Sequence, residues 1–363
     1  MAGPETEQKS PLRRQYSDLN LELDRDFLED IDDSRHWTES RLLGWFVLVS
    51  SGWLASLFPS VGWMSDICAS LIQQFIIAYI LLFALSLFKK RAILASLCAL
   101  AIAINLFYLA PYLPKTKALA STAANSATVL HANAAGFNSK NLELVETLAA
   151  SGADVIGVCE LTPDLDRLIK TKLRDYPYIF SEPHKEDNFG LGIYSKLPLK
   201  QPHLLILRND PEKDQEIPPS ILSEVVTRKG SFNLVYVHTR PPLGSQWAEQ
   251  RDRQLDYLAD LTGVAGVAGT SPDRPWLLAG DLNATPFNPA FARLVKKGGF
   301  IDSNRKFGLT NTWPSGFMPP QLPLDHILAR DSKTASLTIS GLKTVDLPGS
   351  DHKGLFANVE LNN

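Results

Sequence analysis

Asn133, Glu160, His238, Asp281, Asn283, Asp325 and the pair Asp351-His352 are the residues whose types and settings can do chemistry together in this 363-residue chain. Each closes or closely follows an apolar run. Asn133 ends ATVLHAN, Glu160 follows DVIGVC, and His238 ends NLVYVH. Asp281 and Asn283 sit in GDLNATP after WLLAG. Asp325 and His326 lie in LPLDHIL, and Asp351 and His352 lie in GSDH before the last apolar stretch. Loops at strand ends are where rigid scaffolds place function. Taken singly, an Asp or Asn in that setting is most often a turn former, and His238 reads as an edge histidine. Glu160 is harder to dismiss, because glutamate is not favoured in turns. Jointly, these carboxylates, carboxamides and histidines can converge on one sheet edge.

Hard cations such as Mg²⁺ take oxygen ligands and keep several waters. Glu160 and Asp351 suit that role. Carboxamides suit phosphate orientation, since they donate hydrogen bonds without adding negative charge. Histidine holds or moves a proton near neutral pH. The chain has no Gly-rich P-loop, no HExxH and no G-x-S-x-G elbow. The chemistry left is metal-assisted attack of water on a phosphoester.

The elements that must position these residues follow from periodicity. Strands are expected over 127–133, 154–159, 189–195, 221–227, 232–238, 276–279, 324–329, 337–344 and 355–361. Helices are expected over 138–151, 162–174 and 246–261, the second with Pro163 in its first turn. Residues 197–221 read as a loop. This mixed order, with most strands in hairpin-like neighbours, suggests two packed sheets with helices outside.

The ordered series Asn133, Glu160 (VCEL), His238 (YVHTRPP), Asp281-Leu-Asn283 (GDLNATP), Asp325 (LDHIL) and Ser350-Asp351-His352 resembles the endonuclease/exonuclease/phosphatase superfamily, the deoxyribonuclease I-like fold, in a membrane-anchored bacterial form. The resemblance covers roughly 127–361, and DNFGLGIYSK at 187–196 adds Asn188 near the site. It implies an α/β fold, a four-layer α/β sandwich, and a divalent metal, usually Mg²⁺ with Mn²⁺ as a substitute. By position, Glu160 is implied as the main metal ligand, with Asn133 beside it and Asp351 in support. Asp281 is implied to orient or deprotonate water, and Asn283 to hold a phosphate oxygen. His238 and His352 are implied to contact phosphate, and Asp325 to orient His238 or a neighbour. Two departures stand out. HANAAGFN differs from the usual opening strand, and 197–221 offers no aromatic wedge or basic arm for entering DNA.

The N-terminal third has a different character. Residues 1–40 carry five basic and eleven acidic side chains and read as a disordered cytoplasmic tail, not a signal peptide. Apolar runs at 42–63, 67–88 and 92–113 each approach the roughly 20 residues that cross a bilayer. Three transmembrane helices are therefore expected, followed by a linker over 114–126 and a catalytic domain over 127–363. Lys89-Lys90-Arg91 should stay cytoplasmic. Three crossings then place the catalytic domain on the periplasmic or extracellular face of the plasma membrane; with two crossings it would be cytoplasmic.

Residues 115–363 carry 27 Lys+Arg and 27 Asp+Glu, so the broad basic footprint of a tight nucleic-acid binder is missing. Cys68, Cys98 and Cys159 have no CxxC spacing and read as small buried apolar residues. The expected partners are a phosphoester (nucleic acid, lipid head group or small molecule) and the lipid bilayer, with no obligate protein partner evident. The competing reading is a membrane-tethered binding module that keeps the fold without turnover. Such a module would be expected to lose one of Glu160, Asp281, Asn283 or His352, and all four are present. A channel would need intramembrane charges, which the runs lack: Asp66, Lys89, Lys90 and Arg91 all fall in the links between them.

Overall fold

The computed structural model describes residues 40–115, 126–206, 217–261, 270–271, 273–316 and 321–362. The acidic tail over 1–39 and linker residues 116–125 lie outside the described residues. Twelve strands follow one another: β1 (Ser126–Asn133), β2 (Val155–Cys159), β3 (Tyr178–Glu182), β4 (Leu191–Ser195), β5 (Leu199–Leu205), β6 (Ser220–Thr227), β7 (Gly230–His238), β8 (Trp276–Asp281), β9 (Ile301–Asp302), β10 (Asp325–Arg330), β11 (Ser336–Asp346) and β12 (Lys353–Asn362). They form two six-stranded sheets, in the orders β11-β12-β1-β2-β4-β3 and β5-β6-β7-β8-β10-β9. β1–β2 and β7–β8 pair in parallel, and the other neighbours are antiparallel.

Strand side chains alternate between faces, and the alternation divides the core into three. Val129, Val155, Cys159, Ile193, Phe232, Leu234, Tyr236, Leu277, Ala279 and Ile327 pack between the sheets. Their odd-and-even partners Leu130, Ile156 and Val158 face outward under α5 (Asn141–Ala150) and α6 (Pro163–Lys172). Val235, Val237, Leu278 and Leu328 face outward under α7 (Ser245–Leu261) and α8 (Pro289–Gly298). Two sheets with helices on both outer faces make the four-layer sandwich that the motifs implied.

The helices start where the sequence caps them. Thr162 accepts a hydrogen bond from the Leu165 amide ahead of Pro163. Asn288 accepts from the amides of Ala290 and Phe291, and Gly299 ends α8 in the left-handed region, as expected of such caps. β5 replaces part of the loop expected over 197–221. Pro202 hid it: the strand lies on a sheet edge, and its register with β6 shifts between Lys200 and His203, where proline is tolerated.

Gly157 sits opposite His131 in β2. A Cβ at Gly157 would come within 2.2 Å of the Tyr236 ring from the other sheet. Gly157→Ala is therefore expected to cost about 1–3 kcal/mol through overpacking. Denaturant unfolding of the two proteins measures this, and identical midpoints would mean that Tyr236 yields freely.

The expectation of three transmembrane helices needs correction. Residues 40–56 form a helix, α1, which precedes a 3₁₀ turn at Pro59–Val61. The second run breaks at Leu71 into α2 (Trp63–Ser70) and α3 (Ile72–Phe88), bent by 67°. α4 (Ala92–Leu109) continues through the turn to Tyr112. By length and composition one helical stretch among the described residues, Ala92–Tyr112, can cross a bilayer, or two if the bent pair counts as one. A hydropathy run registers neither the Pro59 turn nor the bend. Leu42, Phe75, Tyr79, Leu82, Cys98 and Ala101 pack the helices together, while Leu81, Phe88, Ile93 and Phe107 are exposed.

Candidate active site

Strand parity places the site. Asn133 continues the inward face that begins with Val129, and His238 continues Leu234 and Tyr236. Asp281 continues Leu277 and Ala279, while Asp325 begins the face of Ile327. All four polar groups thus project between the sheets at one end of the sandwich, where the apolar filling stops. His238 pairs in register with Asp281, and Asp281 with Asp325.

Asn133 joins the two sheets. Its Nδ2 donates to Glu160 Oε1 and to Asp281 Oδ2, both at 3.1 Å. Glu160 Oε2 accepts from the Gly136 amide at 2.8 Å. Gly136 lies close under both side chains: a Cβ there would come 2.6 Å from Asn188 Oδ1, which would have to swing aside, and 3.6 Å from Glu160 Oε2. Asn188 is accordingly at the rim beside Glu160. Glu160 and Asn283 both hold left-handed backbone conformations, with φ of 54° and 45°. Such strain in non-glycine residues persists where surrounding structure over-determines it, often at functional sites. For Asn283 the constraint is visible: its backbone amide donates to Asp281 Oδ1 at 2.9 Å, and its Nδ2 donates to the Thr239 carbonyl at 2.9 Å.

A buried chain of imidazoles and carboxylates runs behind these groups. Asp325 accepts from His352 Nδ1 at 2.8 Å through one oxygen and lies 2.6 Å from His131 Nε2 through the other. His131 Nδ1 is 2.8 Å from the Tyr236 hydroxyl. Of the two expectations for Asp325, His238 or a neighbour, the geometry fits the second: it orients His352 and His131. His352 Nε2 and His238 Nε2 each lie 3.7 Å from the same oxygen of Asp281. His238 Nε2 is also 4.0 Å from Glu160 Oε1.

Environment sets these groups apart electrostatically. Burial raises the Asp281 carboxyl above its ordinary value, and the Asp325 charge adds to the effect. Burial raises Glu160 as well, against the Gly136 amide and Asn133, which stabilise its charge. Burial lowers His238, and Asp281 opposes this only in part. Burial also disfavours the His352 cation, but Asp325 and Asp281 outweigh it and push the group up to about 10. Two histidines on one carboxylate oxygen thus favour opposite protonation states, the pattern that separates acid from base roles.

The donor set fits a divalent cation. Glu160, Asn133 and Asp281 offer hard oxygen atoms, and Glu160 keeps 14% of its side chain open to the cleft. Asp281, Asp325 and His352 also gather ligand atoms within 4.8 Å. Asp325 is fully buried between its two histidines, however, whereas Glu160 reaches the cleft, which leaves Glu160 the better-placed ligand. His238 Nδ1 is buried with no hydrogen-bond partner among the described residues. Asp351 accepts from Trp313 Nε1 at 3.0 Å and lines the same cleft. His326 goes elsewhere. It faces outward, 2.8 Å from the Ala284 carbonyl and against Phe291.

Sequence reading missed three participants. His131 and Asn133 share a face at a spacing of two in HAN, which could have flagged the histidine. Tyr236 looked like core. Arg240 lines the cleft between two rings, 4.8 Å from Phe189 and 4.9 Å from Trp247.

Fold and site together define a four-layer α/β sandwich with an acid-rich catalytic mouth between its sheets. Residues 129–352 match the model of the Endonuclease/Exonuclease/phosphatase family, and the chain belongs to that family. Among solved structures it resembles D. rerio TDP2 humanised by 14 mutations, at 18% identity over 65% of this chain and 99% of that one, with a TM-score of 0.52. It resembles SmcL at 13% identity over 65% and 99% of the two chains, with a TM-score of 0.50. It also resembles the catalytic domain of human Nocturnin with bound sulfate, at 16% identity over 65% and 95%, with a TM-score of 0.50. At these identities the likeness is one of fold. None of the curated proteins compared with the chain matches it.

Proposed function

We propose that this chain is a membrane-anchored hydrolase of phosphoesters that uses a divalent cation, Mg²⁺ or Mn²⁺, to assist attack of water on phosphorus. The observation that carries this reading is the convergence of Glu160, Asn133 and Asp281 with the His352–Asp325–His131 chain at one mouth. Glu160 and Asn133 would hold the cation, with Asp351 across the cleft. The cation supplies charge stabilisation and a more acidic water. Asp281, whose burial raises its proton affinity, takes the proton from the attacking water. His352 donates a hydrogen bond to a phosphate oxygen from the fixed orientation that Asp325 imposes. His238 remains neutral and presents Nε2, the nitrogen beside Asp281 and Glu160, to the substrate. Asn283 and Asn188 bind phosphate oxygens without adding negative charge. SmcL, TDP2 and Nocturnin share the fold, and membership of the family supports phosphoester chemistry over a silent binding module.

The anchor is the N-terminal helical unit. Its exposed apolar surface and the stretch Ala92–Tyr112 support a membrane location. With Lys89-Lys90-Arg91 held in the cytoplasm, a crossing by Ala92–Tyr112 puts the catalytic domain on the periplasmic or extracellular side.

The full chain in lipid nanodiscs should hydrolyse a chromogenic phosphodiester or phosphomonoester with Mg²⁺ or Mn²⁺. EDTA should abolish the activity, and added metal should restore it. A folded protein that binds the metal yet turns over neither ester would favour the binding module.

A further inference from the structure

α2 is part of the catalytic cleft as well as of the apolar unit. Asp66, expected to lie in a link between spans, is only 5% exposed. Its Oδ2 accepts from Arg251 Nη2 at 2.6 Å, and its Oδ1 accepts from Asn288, the cap of α8. Arg251 is itself 2% exposed and donates through Nη1 to the Asn283 carbonyl at 3.2 Å. One buried guanidinium thus ties the apolar helix to the backbone of a catalytic loop. Further pins stand on both sides. Ser70 Oγ lies 3.1 Å from Thr285 Oγ1, and Gln73 and Asn311 exchange two hydrogen bonds of 3.0 Å. Loss of one partner from a buried pair is strongly destabilising, so this arrangement is a fixed joint.

The joint aims an apolar face at the site. A cavity of about 750 Å³ is lined by Glu160, Asp281 and His352 together with Ile67, Leu71, Leu243, Trp247, Leu322 and Leu324. Polar catalytic groups thus share one cavity with an oily wall. Leu71, at the bend between α2 and α3, belongs to that wall.

We propose that this wall is a subsite for the hydrocarbon part of an amphiphilic phosphoester, a lipid whose head group carries the reacting phosphorus. Asp66 and Arg251 are the positioning residues that hold the wall in place. The proposal rests on the hydrolase reading above. Charge argues for a lipid over a polynucleotide. Glu186, Asp187 and Asp351 line the same cleft against two arginines: Arg251 is already neutralised by Asp66 and Asp252, and Arg240 is held between the Phe189 and Trp247 rings. A polynucleotide brings a repeating negative charge that needs basic contacts, whereas a single head group with an apolar chain does not.

The test uses the full chain in nanodiscs with Mg²⁺ and a series of p-nitrophenyl alkyl phosphodiesters from methyl to octyl, all monomeric in solution. Full burial contributes up to about fourfold in kcat/KM per methylene. The expected result is a rise with chain length of roughly twofold to fourfold per methylene. That slope should flatten in Ile67→Ser/Leu71→Ser and in Leu243→Ser, a position that is 75% exposed and free of any folding role in the core. Ile67→Leu, which keeps the wall apolar, should retain it. Equal kcat/KM for methyl and octyl esters, or a slope that survives Leu243→Ser and the double variant, overturns the subsite while the hydrolase stands. Faster cleavage of short oligonucleotides than of the octyl ester overturns it too. If even the methyl ester is inert with metal bound, the hydrolase reading itself fails.

Discussion

Glu160→Gln is expected to lower metal-dependent turnover by about a thousandfold, because a cation's several kcal/mol of transition-state stabilisation goes with its anionic ligand. The substitution is nearly isosteric. Asn133 Nδ2 and the Gly136 amide now donate to the two carboxylate oxygens; a carboxamide of the same shape would accept from one of them and lose the other bond, at about 1–3 kcal/mol. The fold should survive that loss, with the left-handed backbone at residue 160 intact. Two readings separate the outcomes: calorimetric titration with Mg²⁺ or Mn²⁺, and kcat in saturating metal. Weakened metal affinity with a matching loss of turnover is the expected pair. Unchanged metal affinity would move the cation to the Asp281–Asp325–His352 group.

Asp325→Asn is expected to be more damaging still, at about a thousandfold or more in turnover. It is also expected to cost about 3–5 kcal/mol of stability, since a buried ion pair would lose one partner. Both oxygens of Asp325 are committed, one to His352 and one to His131. An amide can serve only one of them as acceptor, so one imidazole loses its orientation. His352→Gln removes the catalytic imidazole but leaves the His131 contact, and should therefore cost activity without the same loss of stability. In metal-free protein the pair has a pH signature. Its His352 pKa is pushed from 6.5 to about 10, so the imidazolium's stabilising contribution is complete below about 6.5 and disappears as pH rises through about 10. Asp325 is held below the usual carboxylate range, where burial is outweighed by His352 and His131. Its contribution is present above that range and is lost in acid. Unfolding midpoints of wild type and His352→Gln in EDTA should therefore converge as pH is raised from about 7 to 10.5. A gap that stays constant would mean that His352 is neutral in the folded protein.

Much of the catalytic mouth was legible because the chain writes it in one repeated form, an apolar strand closed by a polar residue. Asn133, Glu160, His238, Asp281 and Asn283 all obey that form, and the structure brings them together. Asp325 instead opens its strand, after the apolar LPL, and its partners do not follow from the pattern. The choice of His352 and His131 over His238 depends on which strands of two sheets face each other. His131 was hidden for a related reason: inside a strand, a histidine looks like a satisfied core residue until its neighbour is known. β5 was obscured by a proline that an edge strand accommodates. The apolar N-terminal runs were visible, but their division was not, since hydropathy is blind to a 67° bend. Asp66 was misread for the plainest reason. Its partner Arg251 is 185 residues away in the chain, and only the folded molecule shows that a charge between two apolar runs belongs to a catalytic domain.

The inward parity of the site has a consequence for how such a chain can vary in length. Asn133, Tyr236, His238 and Asp281 reach the mouth only because each lies an even number of residues from an inward-facing core position on its own strand. A single residue inserted between Leu277 and Gly280 would turn the Asp281 carboxylate toward the helix-covered outer face and put Gly280 in its place at the mouth, since one step of register exchanges the two faces. Loops such as 183–190 can lengthen or shorten without touching this frame. Descendants of this sequence are therefore free to acquire insertions between the strands of the site, and barred from acquiring odd-numbered ones within them.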